Sequence, residues 1–268
     1  MKAYFATFLK YKYLLQNLIS RDLKVKYRRS TLGLLWSVLN PLLMAIVISI
    51  VFQNFFRIGE PNFAVYYLTG SLIFNFMNEA TSSAMVSIVG NAPLIKKVYI
   101  PKYIFPLEKV MFAFVNMLFS MIALVIMMGA TKIGLIGVPS ELHITWTVLL
   151  FFIPMLYTLV FSLGLGLILA AINVYFRDVG HLYSVWTMAW MYLTPVIYPM
   201  NMVEGSWVMN VIQLNPMYYF VTYFREVMMR GTVPGLKMNL LCMGISLLFL
   251  VLGLWVFKKK QDRFILFI

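Results

Sequence analysis

The chain has 268 residues, 62% of them hydrophobic and only 12% charged, with a mean hydropathy of +0.85 and a net charge of +13. A soluble domain carries about twice that share of charge, and a soluble fold of this size has too little interior to hide so much apolar surface. The same figures exclude a disordered chain and a secreted disulfide scaffold.

At about 20 residues per bilayer crossing, the length allows roughly six spans with loops. The single cysteine, Cys242, excludes an internal disulfide and a cysteine-based metal site, and His143 and His181 lie far apart, so no metal is expected. The basic excess reads as the positive-inside pattern of a membrane protein, with no nucleic-acid partner. Residues 1–30 carry eight Lys and Arg and no apolar h-region, so no cleavable leader is expected.

In chain order, Tyr4, Phe8, Tyr11, Leu15, Leu18 and Ile19 recur at helical spacing, with Lys2, Lys10, Asn17 and Arg21 on the other side. This predicts a basic amphipathic helix within segment 1–29, lying in the membrane interface or packed on the protein, with the interface the preferred reading. Charge-poor runs then predict six spans: 30–56, 61–90, 110–131, 146–173, 179–203 and 238–257. With both ends on the cytoplasmic side, 17 of the 22 Lys and Arg fall inside and five outside, which sets the orientation.

One more run, 205–224, is long enough for a seventh crossing. Asn210, Gln213 and Asn215-Pro216 interrupt it, and a residue before proline resists the helical conformation. Segment 200–237 is therefore expected to be a re-entrant external gate whose aromatic lining includes Tyr218 and Tyr219.

The chemistry is sparse. There is no P-loop, no H-E-x-x-H, no G-x-S-x-G and no paired carboxylate within a span. Glu79 is the one acid expected at membrane depth, on a helix face with Asn75, Asn78 and Ser82. That face fits a polar stripe along a pathway, and equally an interhelical hydrogen-bond network with the acid protonated. The aromatics, 16% of the chain, fit core packing and interfacial belts, or a stacking surface for sugar rings. Segment 91–106 mixes Lys96, Lys97 and Lys102 with Leu94, Ile95, Val98, Tyr99 and Ile100, and apolar residues on a cytosolic loop point to a protein partner.

Four ordered stretches, RDLKVKYRRSTLGLLWSVLNPL (21–42), NAPLIKKVYIPKYIFPL (91–107), NVYFRDVGHLYSVWTMAWMYLTPVIYP (173–199) and LNPMYYFVTYFREVMMRG (214–231), resemble the ABC-2-type permeases that export polysaccharides. The resemblance covers almost the whole chain. It implies an all-α polytopic membrane protein, one transmembrane domain over 1–268, in the cytoplasmic membrane of a bacterium. It implies a homodimer with two copies of a cytoplasmic ATPase that holds ATP and Mg, so this chain needs no cofactor and is not itself an enzyme. The substrate implied is a lipid-linked cell-surface polysaccharide of teichoic acid, rhamnan, capsule or O-antigen type.

By the same likeness, Asn91, Leu94, Lys96, Lys97, Tyr99 and Pro101 are the ATPase-coupling residues. Arg28, Arg29 and Arg177 are candidates for the lipid pyrophosphate, since guanidinium pairs with phosphate oxygens. The channel-wall candidates are Trp36, Phe74, Glu79, Trp186, Trp190 and Tyr192. Two other readings stand beside this one: an ABC-2 exporter of a small lipid or drug, and a membrane-embedded glycan-modifying enzyme, which would need more acids than the chain offers.

Overall fold

The computed structural model describes residues 2–28, 30–56 and 59–268; Arg29 and Arg57 lie outside the described residues, as do the side chains of residues 2–10. Among the described residues there is no strand. The helices are α1 (Lys2–Tyr27), α2 (Trp36–Asn54), α3 (Phe63–Gly90), α4 (Ala92–Lys97), α5 (Ile104–Lys132), α6 (Phe152–Tyr175), α7 (Val179–Tyr192), α8 (Trp207–Gln213), α9 (Pro216–Arg225) and α10 (Leu236–Lys260), with a π-helical turn over Glu226–Arg230.

Among the described residues, four stretches are long and apolar enough to cross a membrane: Gly33–Gln53, Ile104–Lys132, Trp146–Tyr175 and Leu236–Leu266. They fall on the first, third, fourth and sixth expected spans. The second expected span is α3, whose 28 residues reach about 42 Å at the rise of an α-helix. Its Asn, Glu, Ser and Thr residues lower its hydropathy, and its position explains why they are tolerated. Twenty of its residues are buried, because α2, α5, α6, α7 and α9 pack around it, so little of α3 is left for lipid. Its buried hydroxyls are satisfied on their own helix: Thr69 Oγ1 donates to Val65 O and Tyr66 O, Thr81 to Met77 O and Ser87 to Ala84 O.

The fifth expected span is corrected. The run 179–203 is not one helix: α7 has 14 residues, about 21 Å, short of the roughly 30 Å hydrocarbon core. It ends at Tyr192 because Pro195 and Pro199 follow, and proline restricts the residue before it. The break is repaired by Asn215. Its Nδ2 donates to Leu193 O (3.1 Å) and Thr194 Oγ1 (2.8 Å), and its Oδ1 accepts from Trp190 Nε1 (2.6 Å) and Met217 N (2.9 Å). The amide that interrupts the 205–224 run thus caps α9 and ties down the end of α7.

The described part of the amphipathic face of α1, from Tyr11 to Ile19, packs on protein, while the side chains of Tyr4 and Phe8 lie outside the described residues. Leu15 and Leu18 are buried in a cluster with Ile95, Ile100, Ile104, Phe105, Phe257 and Phe264. Lys109 Nζ pairs with Asp22 and fixes α1 to the start of α5. Burial alone would raise the Asp22 carboxyl; hydrogen bonds and charge from Lys109 and Arg21 overcome this and hold it below its usual range.

Helices α6 and α10 cross backbone to backbone. A Cβ on Gly164 would lie 2.3 Å from the Phe249 backbone, and one on Gly253 would lie 2.3 Å from Gly164 O. Small residues at such a crossing let two backbones meet without a hydrophobic driving force. Gly164→Leu is expected to drive the pair apart at a cost of about 1–3 kcal/mol or more. Thermal unfolding in detergent and the size-exclusion profile check it, and an unchanged melting temperature would mean that the crossing is looser than described.

Candidate functional site

A cavity of about 720 Å³ opens where the end of α1 meets α2, α3 and α5. Its polar centre is Glu79 on α3. Lys26 Nζ donates to Glu79 Oε1 (3.0 Å), and Asn116 Nδ2 on α5 donates to the same oxygen (2.9 Å). Tyr27 OH donates to Asn116 Oδ1 (3.1 Å) and shares a short hydrogen bond with Ser37 Oγ. Ser120 Oγ donates to Ser37 O (3.0 Å) and Asn116 O (3.1 Å). Trp36, Asn40, Tyr67 and Asn75 complete a wall of aromatic planes and amide groups. Such a surface offers stacking faces together with donors and acceptors of both kinds, which suits a polyhydroxylated ligand better than a purely apolar one.

Of the residues singled out from sequence as channel wall, this cavity gathers Trp36 and Glu79. Phe74 is 2% exposed and packed inside the bundle. Trp190 is also interior, 8% exposed, edge-on to Phe161 at 6.2 Å and bonded to Asn215, so it faces this chain's own core. Trp186, one turn before Trp190 with ring centroids 6.1 Å apart, and Tyr192 at the end of α7 are both exposed. Tyr218 and Tyr219 lie on α9 with ring centroids 5.0 Å apart, and Tyr219 OH donates to Gln213 O.

Sequence reasoning missed Lys26, Tyr27 and Asn116. A lone amide in the apolar run 110–131 was the available signal for Asn116. It also missed Glu108, whose side chain is 1% exposed beside Lys109, because the expected span began at 110 while α5 begins at Ile104. Glu108 is thus a second acid within an apolar stretch, and the more buried of the two.

The coupling segment folds as α4 followed by an extended strap. Pro93 lies in the first turn of α4, Ile95 and Ile100 plug into the α1 cluster, and Leu94 packs partly against it. Lys96, Lys97 and Val98 are exposed and Tyr99 is 90% exposed, while Asn91 Nδ2 donates to Ser87 O and Pro101 is half-buried. The exposed apolar surface of the segment is thus Val98 and Tyr99, with Leu94 holding the segment in place. The ends of α6 and α10 meet it at the same end of the bundle, through Lys102 Nζ to Gln261 O (2.6 Å) and Tyr175 OH to Lys260 O (3.1 Å). Arg28 lies with Arg21 and Lys24 along an open groove on α1; Arg177 is exposed at the α6–α7 turn.

A bundle that is all helical among the described residues, with apolar spans, a polar cavity beside them and an exposed strap at one end, describes a multi-pass membrane protein with room for a polar cargo. Residues 13–229 match the model of the ABC-2 type transporter family, and the chain belongs to that family. Among its relatives is an O-antigen export system permease protein RfbA of Klebsiella pneumoniae, 30% identical over 253 residues, covering 94% of this chain and 93% of that protein. The Myxococcus xanthus RfbA permease is 29% identical over 255 residues and 95% of each chain. The capsule polysaccharide export inner-membrane protein CtrC of Neisseria meningitidis serogroup A is 25% identical over 252 residues, 90% of this chain and 89% of its own.

Half-exposed ion pairs are worth about 0–1 kcal/mol, so Glu79→Gln and Lys26→Met are expected to leave thermal stability within that range. Trp190→Ala, by contrast, empties a core site and removes one of the two hydrogen bonds to Asn215 Oδ1, at about 3–5 kcal/mol. Paired melting curves of the three variants check both expectations.

Proposed function

We propose that this chain is the permease subunit of an ATP-driven exporter of a lipid-linked cell-surface polysaccharide, of O-antigen or capsule type. The observation that carries the reading is the likeness to O-antigen export permeases along nearly the full length of both proteins. A cavity lined by Trp36, Tyr67, Asn116 and Glu79 supports it, since amide and aromatic groups together suit a sugar chain. So does Tyr99, a large side chain left exposed beside Lys96 and Lys97.

In this reading the protein works as a homodimer with two ATPase subunits, which bind ATP and Mg and supply the energy. This chain's residues bind, orient and couple. Asn91, Lys96, Lys97, Tyr99 and Pro101 form the surface that meets the ATPase, with Leu94 beneath it. Arg28 and Arg177 meet the lipid pyrophosphate at the cytoplasmic boundary. The exposed Trp186 and Tyr192 of α7 line the pathway between the two copies, with Trp36 and Glu79 at its inner entrance. The bundle crosses six times, with α3 shielded by its neighbours and α7 completed by α8 and α9, which dip in and return as an external gate. Both termini are cytoplasmic.

The purified chain alone is expected not to hydrolyse ATP, and Tyr99→Asp should abolish co-purification of the ATPase with an unchanged melting temperature, because a charge forced into an apolar contact is strongly disfavoured. ATPase activity from the chain alone, or an intact complex with Tyr99→Asp, would refute the coupling role.

The gate is tested by cysteine labelling in a Cys242→Ala background with a membrane-impermeant reagent. Val233 serves better than Gly231, whose φ of +66° and close approach to His143 O forbid a side chain. Glu204→Cys and Val233→Cys should both react from outside, and Asp262→Cys only after lysis. Protection of Val233→Cys until lysis, with Glu204→Cys reactive, would make residues 205–230 a true crossing.

A further inference from the structure

At the end of the bundle away from α4, a second cavity of about 380 Å³ lies between the α2–α3 loop, the first turn of α3, the α5–α6 loop and the π-turn after α9. It is lined by Glu60, Tyr66, Glu141, His143, Arg225 and Arg230. Arg225 is the buried member, at 6% exposure. Its guanidinium lies over the Tyr66 ring at 3.5 Å, and its Nη2 donates to Tyr66 O (3.1 Å) and Val196 O (3.4 Å). Its Nε is buried and has no hydrogen-bond partner, and among the described residues no carboxylate lies within ion-pair distance of it. A Cβ on Gly70 would lie 2.6 Å from Nη2, so the cradle for this guanidinium depends on a glycine.

A guanidinium held away from water and without a counter-ion is costly unless something else uses its donors. Around the same cavity stand two carboxylates, Glu60 and Glu141, with an imidazole and a second guanidinium. Burial pushes the Glu60 carboxyl above its usual range, against the pull of Arg225 and Arg230.

This mixture selects a ligand class. An anion attracted by Arg225 and Arg230 meets Glu60 and Glu141, and a metal cation attracted by the carboxylates meets the guanidiniums. A neutral polyhydroxylated molecule escapes both penalties, because each hydroxyl accepts from a guanidinium and donates to a carboxylate. Pro61 and Met229 add apolar surface for the CH face of a ring, and the volume is in the range of small-ligand sites.

We propose that this outer cavity is a binding site for a neutral sugar unit, separate from the Glu79 cavity, with Arg225 as donor and Glu60 and Glu141 as acceptors. The assignment rests on the polysaccharide reading above. In that setting the site would engage the emerging chain one unit at a time.

The test uses the permease–ATPase complex in lipid nanodiscs and saturation-transfer NMR with neutral methyl hexosides and 6-deoxyhexosides, methyl glucuronoside and inorganic phosphate. At least one neutral glycoside is expected to receive saturation, with binding about tenfold weaker in both Glu60→Gln and Glu141→Gln, as for loss of one hydrogen bond to a charged group. Arg230→Gln, at the exposed rim, replaces either variant that fails to give a monodisperse complex. Excess phosphate or glucuronoside should not displace the neutral glycoside. Absence of saturation with every neutral glycoside, equal binding by wild type and variants, or displacement by phosphate overturns the sugar site. Surface polysaccharide is scored in parallel in cells lacking and re-expressing the chain. Export restored by a wild-type chain that binds no glycoside refutes this site alone, whereas no export at all refutes the transport reading.

Discussion

Wherever this chain departs from a straight apolar helix, the freed polar groups must find partners without help from water. Lipid supplies none, so an unpaired backbone group at membrane depth costs several kcal/mol. Asn215 answers that constraint at the break between α7 and α9, where one side chain serves two donors and two acceptors. The hydroxyls of α3 answer it by bonding back to carbonyls three or four residues earlier. With those groups satisfied, a short α7 and a polar central helix become compatible with a membrane fold.

The arrangement of functional surfaces follows from that core. Because α3 is shielded by its neighbours, it can bring Glu79 to a cavity wall without exposing it to hydrocarbon. Because Ile95 and Ile100 anchor the strap after α3, Tyr99 stands free. Two ends of the bundle thus acquire different characters. One is basic and carries the exposed strap after α4; the other holds Arg225 among mixed charges.

Glycines set the finest tolerances. At Gly164 and Gly253 two backbones touch, and at Gly70 a buried guanidinium takes the space a Cβ would fill. These positions lie in apolar or aromatic runs where glycine costs helix propensity, and the close approach accounts for the choice.

The class of protein was legible from composition alone, because 62% hydrophobic residues have no soluble solution. So were the four apolar spans, since about 20 uncharged residues have one stable form in lipid. The exposed apolar side chains of segment 91–106 and the interruption at Asn215-Pro216 were legible too, from local residue chemistry. Only the tertiary structure decided which way side chains faced. Trp190 and Phe74 read as wall residues in sequence yet pack in the core, while Lys26 and Asn116, far apart in the chain, meet on Glu79. The reason is geometric. The apolar pattern of a membrane helix has no polar face to mark its orientation, as the nearly uniform α2 and α10 illustrate. Contacts between helices, and the hydrogen bonds that satisfy their breaks, are settled only when the bundle closes.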